Sequence, residues 1–123
     1  MRFEKDEALT VKVLDIVRKL GMAHVDLSRV VVMRSRGSKA RRTIARCYAL
    51  SKIWQKAFDM RGYYIIEVIS ARFDHLSAEE REKVLIHELM HIPKSMGGGF
   101  KHHGNWVTRE RVEGLHREYI IKK

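Results

Sequence analysis

The chain has 123 residues, of which 45% are hydrophobic and 33% charged, and its formal net charge at pH 7 is +10. This length predicts one domain over residues 1–123, and the composition places the chain among folded globular proteins. No apolar run approaches the ~18 residues of a membrane span, and the N-terminal residues lack the layout of a secretion signal. We therefore expect a cytoplasmic protein with no membrane partner.

The excess of positive charge favours a polyanionic partner, and DNA is the candidate. The densest basic run brackets Gly37 and Ser38, where the sequence predicts a turn between two strands. The same run is typical of a merely solvated hairpin, and no nucleic-acid-binding motif accompanies it. The basic run consists of Arg34, Arg36, Lys39, Arg41, Arg42 and Arg46.

The N-terminal half of the chain predicts a helix followed by two strands. Apolar residues recur at helical spacing over residues 4–20, and Gly21 follows where a left-handed C-terminal cap belongs. The β-branched run 30–33 predicts a strand, and the basic run then turns into a second strand over residues 43–50. Residues 51–60 fit either a loop or a short helix.

The second half predicts a third strand and two helices. Residues 63–70 carry the strongest strand signal in the chain, with Tyr64, Ile66 and Val68 on one face and Glu67 on the other. Ser77, followed three residues later by Glu80, is a capping box that begins a helix, and Pro93 marks the end of that helix. A last helix runs from about residue 106 or 108 to residue 120. The predicted fold class is therefore α+β, with a small three-stranded sheet packed with helices.

The capped helix contains the pattern HExxH, formed by His87, Glu88 and His91. Residues four apart project from the same face of a helix, so both imidazoles can direct a ring nitrogen to one point, which Glu88 flanks. Imidazole nitrogens in this arrangement are typical zinc ligands. The pattern therefore predicts a metal site at this end of the helix.

The loop after the helix offers a further ligand. Pro93 forces the chain out of the helix, and three consecutive glycines permit the backbone to fold back toward it. His102 and His103 follow, and a catalytic zinc site holds three protein ligands and one water. His87, His91 and one of this pair would complete such a set.

A zinc ion at this site would make hydroxide available at neutral pH, and Glu88 is placed to accept the proton of the water and pass it to a leaving amine. The predicted reaction is hydrolysis of a peptide bond. Two alternatives remain: the histidines are ordinary polar surface, or the metal site has no peptidase activity.

HELMH, followed by a short loop and His103-Gly104-Asn105-Trp106, resembles the HExxH…HG arrangement of SprT-like zinc metallopeptidases. It is still more similar to the small metallopeptidases of phages and archaea with HELxHIP…H motifs. The likeness covers most of the chain, because YYIIEVIS, the capped helix and the glycine loop follow in the family's order. It implies a minimal zincin-like metalloprotease fold, with Zn²⁺ held by His87, His91 and His103 and with Glu88 as the catalytic base.

The resemblance favours His103 over His102, because the family's third histidine directly precedes a glycine and has an aromatic residue three positions after it. His102 remains the lesser alternative. Another branch of zincins takes the third ligand from a glutamate on a later helix, and here Glu110 or Glu113 would be that residue.

The resemblance to SprT-like proteins implies a peptidase that acts on DNA-associated proteins. Several SprT-like proteins carry a cysteine-ligated zinc ribbon, whereas this chain has the single cysteine Cys47, which we expect to be a buried and inert thiol. DNA binding would therefore depend on the basic run. The alternative function is a basic nucleic-acid-binding module with a structural zinc site and no peptidase activity.

Several residues outside the motif also carry expectations. Trp54, near Ile53 and Phe58, is predicted to be core, and the alternative is an aromatic side chain that faces the substrate. We expect an exposed sheet edge, either strand 63–70 or its neighbour, to pair with an extended substrate. The histidines predicted to be surface or cap residues are His24, His75 and His116. The candidates for stabilising an oxyanion are Tyr63, Tyr64 and Tyr119.

Overall fold

The computed structural model describes residues 1–99, 104 and 106–123 and shows a mixed α+β fold. No helix within these ranges has the length and apolar character needed to cross a lipid bilayer. The elements described, with a 3₁₀ turn at Leu27–Arg29, are β1 (Arg2–Lys5), α1 (Glu7–Lys19), β2 (Val30–Arg36), β3 (Ala45–Ala49), α2 (Lys52–Ala57), β4 (Tyr64–Ile69), α3 (Ser70–Phe73), α4 (Ala78–Met90) and α5 (Arg109–Lys122).

The strands form one sheet in the order β1-β2-β4-β3. Strand β2 pairs antiparallel with β1 and parallel with β4, and β3 pairs antiparallel with β4 at the edge of the sheet. The predicted hairpin between β2 and β3 is therefore wrong, because β4 lies between these two strands. The predicted count of three strands is also wrong, because β1 adds a fourth.

Strand β1 overlaps the first two residues of the predicted first helix, Glu4 and Lys5. All four of its residues are exposed, so it has no buried side chain that would reveal a strand pattern. Helix α1 begins after it, where the Asp6 side chain accepts a hydrogen bond from the Leu9 N–H at 2.9 Å. The predicted end is confirmed, since Gly21 follows α1 in the left-handed conformation at φ +62°.

The core lies between one face of the sheet and the helices α1, α4 and α5. Tyr64, Ile66 and Val68 of β4 are each 0% exposed, which confirms the predicted inner face of this strand. Helix α1 adds Val13, Ile16 and Val17 to the same core, and α4 adds Leu85, Ile86 and Leu89. The apolar face of α4 therefore packs against the buried face of the sheet.

Helix α2 forms in the segment that the sequence left open between loop and helix, but it is not part of the core. Ile53 is 76% exposed, Trp54 55% and Phe58 62%, and the rings of Trp54 and Phe58 stack with centroids 5.5 Å apart. The prediction that Trp54 is core is therefore wrong. Its apolar neighbours in sequence are its neighbours on the surface, not the start of a buried face.

A buried carboxylate ties the first half of α4 to α1 and α5. Glu82 is 5% exposed, and its Oε1 lies 2.9 Å from His116 Nε2. Its Oε2 lies 2.6 Å from both Lys12 Nζ and Lys123 Nζ. His116 is 2% exposed, so the prediction that it lies at the surface is wrong. Its partner is 34 residues earlier on another helix, and no local pattern reveals that contact.

Candidate metal centre

Helix α4 positions the histidine motif at its C-terminal end. Ser77 Oγ accepts a hydrogen bond from the Glu80 N–H at 3.1 Å, which confirms the predicted start of the helix. Helical spacing then brings His87 and His91 to one face, and His91 is the C-cap residue directly after Met90, the last residue of the helix. The cap thus stabilises the start of the helix that carries both imidazoles.

The imidazoles of His87 and His91 face one another. Their Nε2 atoms lie 3.3 Å apart, and their ring planes make an angle of 69°. Two nitrogens bound to one zinc ion at about 2.05 Å in tetrahedral geometry would lie about 3.3 Å apart. The pair therefore has the separation that a shared metal ion requires. The same distance is within reach of a hydrogen bond whose direction depends on the ring tautomers.

The predicted third ligand His103 and its alternative His102 lie outside the described residues. Within residues 1–99, 104 and 106–123, no group of three or more His, Cys, Asp or Glu side chains could hold a metal ion. Glu113 Oε2 lies 3.1 Å from Lys83 Nζ, and Glu110 is exposed in the first turn of α5. The structure thus does not bring either glutamate into a ligand set with the two histidines.

Glu88 is a buried carboxyl group next to the paired imidazoles. It is 7% exposed, and burial raises its pKa to about 7. Its Oε2 lies 3.9 Å from His87 Nε2. A carboxyl group with a pKa near neutrality can both accept and return a proton at physiological pH.

A groove of about 620 Å³ passes His87 and Glu88. One wall is the segment 42–45, which ends at the first residue of edge strand β3, and the opposite wall is formed by α4 and the start of α5. Both backbone edges of β4 are paired, one with β2 and the other with β3. Of the two candidates for pairing with a substrate, the neighbour β3 is therefore the one with an edge that no strand in the described part of the chain occupies. The apolar residues that line the groove are Ile44, Ala45, Val84, Val107 and Val112.

The turn after α4 is held by side chains that sequence reasoning did not connect with the motif. Gln55 and Tyr64 bond to the backbone of the glycine run, from positions 42 and 34–35 residues away in sequence. Beyond the glycine run, Trp106 Nε1 donates to the Met90 carbonyl at 3.2 Å. Only Trp106 had a sequence signal, as the aromatic residue of the resembled motif.

The basic run does not form one continuous cationic surface. Arg34 bridges Asp6 and Asp74 at 2.9 and 2.7 Å, and its side chain is only 12% exposed. Arg36 pairs with Glu4 at 2.7 Å. The four remaining members are exposed, and one of them, Arg42, lines the groove; these four are Lys39, Arg41, Arg42 and Arg46.

The other candidate groups take no part in the groove. The hydroxyl of Tyr119 donates to Asp15, that of Tyr64 bonds to the glycine run, and none of the three tyrosines is among the described residues that line the groove. Cys47 is partly buried on β3, and burial together with the nearby Glu88 charge raises its pKa to about 12. Such a thiol is protonated at neutral pH, in agreement with the predicted inert cysteine.

Comparison with known proteins identifies the family to which the chain belongs. A mixed α+β domain with two histidines and a buried carboxylate on one helix is compatible with a small metallopeptidase. A family model described as "Putative phage metallopeptidase" matches residues 1–119, and the chain belongs to this family. The resemblance to phage metallopeptidases is thus confirmed, and the family description implies a metal ion and a protein or peptide substrate. No curated protein and no solved structure gives a significant match.

Proposed function

We propose that the chain is a zinc-dependent endopeptidase of zincin type, in which His87, His91 and His103 bind the metal and Glu88 is the general base. The observation that carries this proposal is the 3.3 Å separation of the His87 and His91 Nε2 atoms on the helix that also carries the buried Glu88. His103 comes from the resemblance to SprT-like and phage enzymes.

The residues present fit a zinc ion, because neutral imidazoles are common zinc ligands and the pair already has the required separation. When bound, zinc supplies a Lewis acid for the substrate carbonyl and lowers the pKa of a coordinated water. Glu88 then accepts a proton from the attacking water and delivers it to the leaving amine. Its burial keeps bulk water away from the carboxylate and so favours this proton transfer.

The groove favours an extended peptide as substrate. Edge strand β3 can add a peptide strand by backbone hydrogen bonding, and this would carry the peptide past His87 and Glu88. The apolar lining of the groove supports a preference for hydrophobic side chains near the cleaved bond.

We propose further that the substrates of this site include proteins associated with DNA. Its support is the position of Arg42 in the groove wall, next to the exposed Arg41. DNA bound there would lie close to the reacting groups. Binding of a DNA duplex that weakens steeply with salt, and weakens further in an Arg41→Ala, Arg42→Ala variant, is the expected result. Salt-independent or absent binding would leave a peptidase without DNA targeting.

The metal site is tested with chelator-treated protein titrated with Zn²⁺. We expect one zinc per chain and a loss of affinity of at least about tenfold in His87→Ala, His91→Ala and His103→Ala. His102→Ala is the matched control and should bind as the unaltered chain does. Unchanged affinity in His103→Ala would refute the proposed ligand set.

Catalysis is tested with the zinc-loaded protein and an unfolded protein substrate, with the fragments identified by mass spectrometry. Glu88→Gln should retain stoichiometric zinc and lose cleavage, since the amide keeps the shape of the side chain but cannot accept the proton. Cleavage at the normal rate by this variant would contradict the role of Glu88. Zinc binding without any cleavage by the unaltered chain would favour the structural-zinc alternative.

A further inference from the structure

The turn that follows α4 is fixed from several sides before the chain reaches the segment that contains His103. Met96 is 1% exposed and has φ +47°, and its Sδ accepts a hydrogen bond from the Asp26 N–H at 3.2 Å. Arg29 Nη1 donates to the Gly62 carbonyl at 3.0 Å and reaches the Met96 carbonyl at 3.5 Å. Gly62 lies so close to Met96 that an added Cβ would meet its carbonyl oxygen at 2.0 Å. The turn therefore packs directly against the start of β4.

Tyr64 holds the last two glycines of the run. The hydroxyl of Tyr64 accepts a hydrogen bond from the Gly98 N–H at 3.1 Å and donates one to the Gly99 carbonyl at 2.8 Å. The ring of Tyr64 is 0% exposed in the core, so the hydroxyl is a rigid attachment point. Gln55 Nε2 adds a hydrogen bond to the Gly97 carbonyl at 3.0 Å. Three successive glycines are thus bonded to side chains of β4 and α2.

The backbone at Gly98 can take this course only as glycine. Its φ is +106°, where residues with a side chain are strained. An added Cβ would lie 2.8 Å from the Leu50 carbonyl oxygen and 2.7 Å from Gln55 Nε2. The glycine run therefore has a defined conformation, set by close contact and hydrogen bonding.

We propose that Tyr64 is a positioning residue for the third metal ligand, acting through its two hydrogen bonds to Gly98 and Gly99. This inference rests on the proposed function. Gly99 is four residues before His103, a span of at most about 14 Å, so the fixed position of Gly99 restricts where the histidine can lie. Restricting the ligand before the metal arrives reduces the conformational entropy that binding would otherwise remove.

The test compares two variants that each remove one buried hydroxyl. Tyr64→Phe keeps the core ring and deletes both hydrogen bonds to the glycine run. Tyr119→Phe is the matched control, because Tyr119 is also 0% exposed and its hydroxyl bonds to Asp15, remote in sequence from the turn. Both proteins are titrated without metal against Zn²⁺ in competition with a chromophoric chelator, and the visible spectrum of the Co²⁺ form reports the coordination geometry.

We expect Tyr64→Phe to raise the Kd for Zn²⁺ by about 10-fold and to change the Co²⁺ spectrum, because binding must then also order the backbone that leads to the third ligand. Tyr119→Phe should lower the melting temperature and leave both readouts unchanged. Gly98→Ala is the second variant, since it perturbs the same turn without altering the core, and it should weaken Zn²⁺ binding as well.

The outcomes separate the two proposals. If the unaltered chain binds Zn²⁺ at the three histidines but folded Tyr64→Phe and Gly98→Ala bind it equally well, the positioning role is overturned and the proposed function stands. If the unaltered chain itself takes up no Zn²⁺, the proposed function fails and the positioning role fails with it. Weakened binding in both Tyr119→Phe and Tyr64→Phe would show a general stability effect and would also overturn the positioning role.

Discussion

Helix α4 carries two buried glutamates whose surroundings have opposite effects. Glu82 is 5% exposed and Glu88 is 7% exposed, so burial alone does not distinguish them. Burial raises the pKa of Glu88 to about 7. Burial opposes ionisation of Glu82 as well, but hydrogen bonds from Lys12, Lys123 and His116 prevail and lower its pKa to about 2.

The difference between the two residues shows how one helix can serve both stability and chemistry. A buried carboxylate surrounded by cations is fixed in its charged form and holds neighbouring elements together. A buried carboxyl group without such cations has a pKa near neutrality. Structural stability does not require such a pKa, whereas proton transfer at neutral pH does. The first half of α4 thus holds the helix against α1 and α5 through Glu82, and the proposed general base Glu88 lies in its last turn.

The largest expected effect separates the two glutamates by activity. Glu88→Gln should lower the peptidase rate by about 10²- to 10⁴-fold, the contribution typical of a general base. Glu82→Gln, an identical chemical change six residues earlier on the same helix, should alter the rate of the folded protein by less than about threefold. Initial rates with zinc-loaded protein measure both. Equal losses in the two variants would mean that the glutamates do not differ in role.

The next largest effect is on stability, where Glu82→Gln should be the more damaging of the two variants. Glu82→Gln removes the charge that pairs with Lys12 and Lys123, and we expect it to lower the free energy of unfolding by about 3 kcal/mol. Glu88→Gln replaces a carboxyl group that has no surrounding cations in the described part of the chain, and it should cost less than about 1 kcal/mol. Urea unfolding of the metal-free proteins at pH 7 measures both values. A destabilisation by Glu88→Gln larger than that by Glu82→Gln would contradict the assignment.

The pH dependence of stability sharpens the role of Glu82. Its pKa is about 2 in the folded chain against the ordinary value of 4.5, so its ionised form stabilises the fold above pH 4.5. This contribution, up to about 3 kcal/mol, is lost as the pH falls from about 4.5 to 2, because the unfolded chain binds the proton first. Unfolding free energies of the unaltered chain should fall in that window more steeply than those of Glu82→Gln. Parallel curves would show that the carboxylate is not stabilised by its cations.

The smallest effect concerns the N-terminal cap of α4, the helix that carries both glutamates. Ser77 Oγ accepts the Glu80 N–H, whereas Ser51 at the start of α2 makes no side-chain cap hydrogen bond. Ser77→Ala should lower the free energy of unfolding by about 1 kcal/mol, and Ser51→Ala should change it by less than about 0.3 kcal/mol. Thermal unfolding compares them. A similarly small change in the free energy of unfolding of both variants would mean that the Ser77 cap does not stabilise α4.

Local signals predicted the parts of the fold that depend on neighbouring residues. The Ser77 cap, the buried face of β4 and the left-handed Gly21 each follow from residues within a few positions, and all three are confirmed. The placement of His87 and His91 on one helical face follows from the same kind of signal. These features are properties of a single element.

The features that the sequence did not predict depend on contacts between distant elements. The four residues of β1 are exposed and show no pattern, and the order of β2, β4 and β3 is a property of the whole sheet. His116 is buried because Glu82 lies opposite it on another helix, and Tyr64 contacts the glycine run from 34 residues away. The identity of the third ligand, drawn from the resemblance, stays a prediction.

The insertion of β4 between β2 and β3 has a consequence for how the protein is made. On a ribosome, β3 emerges before β4, and among the described residues β4 is the one strand that pairs with it in the finished sheet. Residues 45–49 therefore have no native strand to pair with until about residue 69 has left the exit tunnel. During synthesis this stretch is an unpaired β-segment, the kind of segment that associates with other chains, so we expect nascent fragments ending near residue 60 to aggregate or to recruit chaperones.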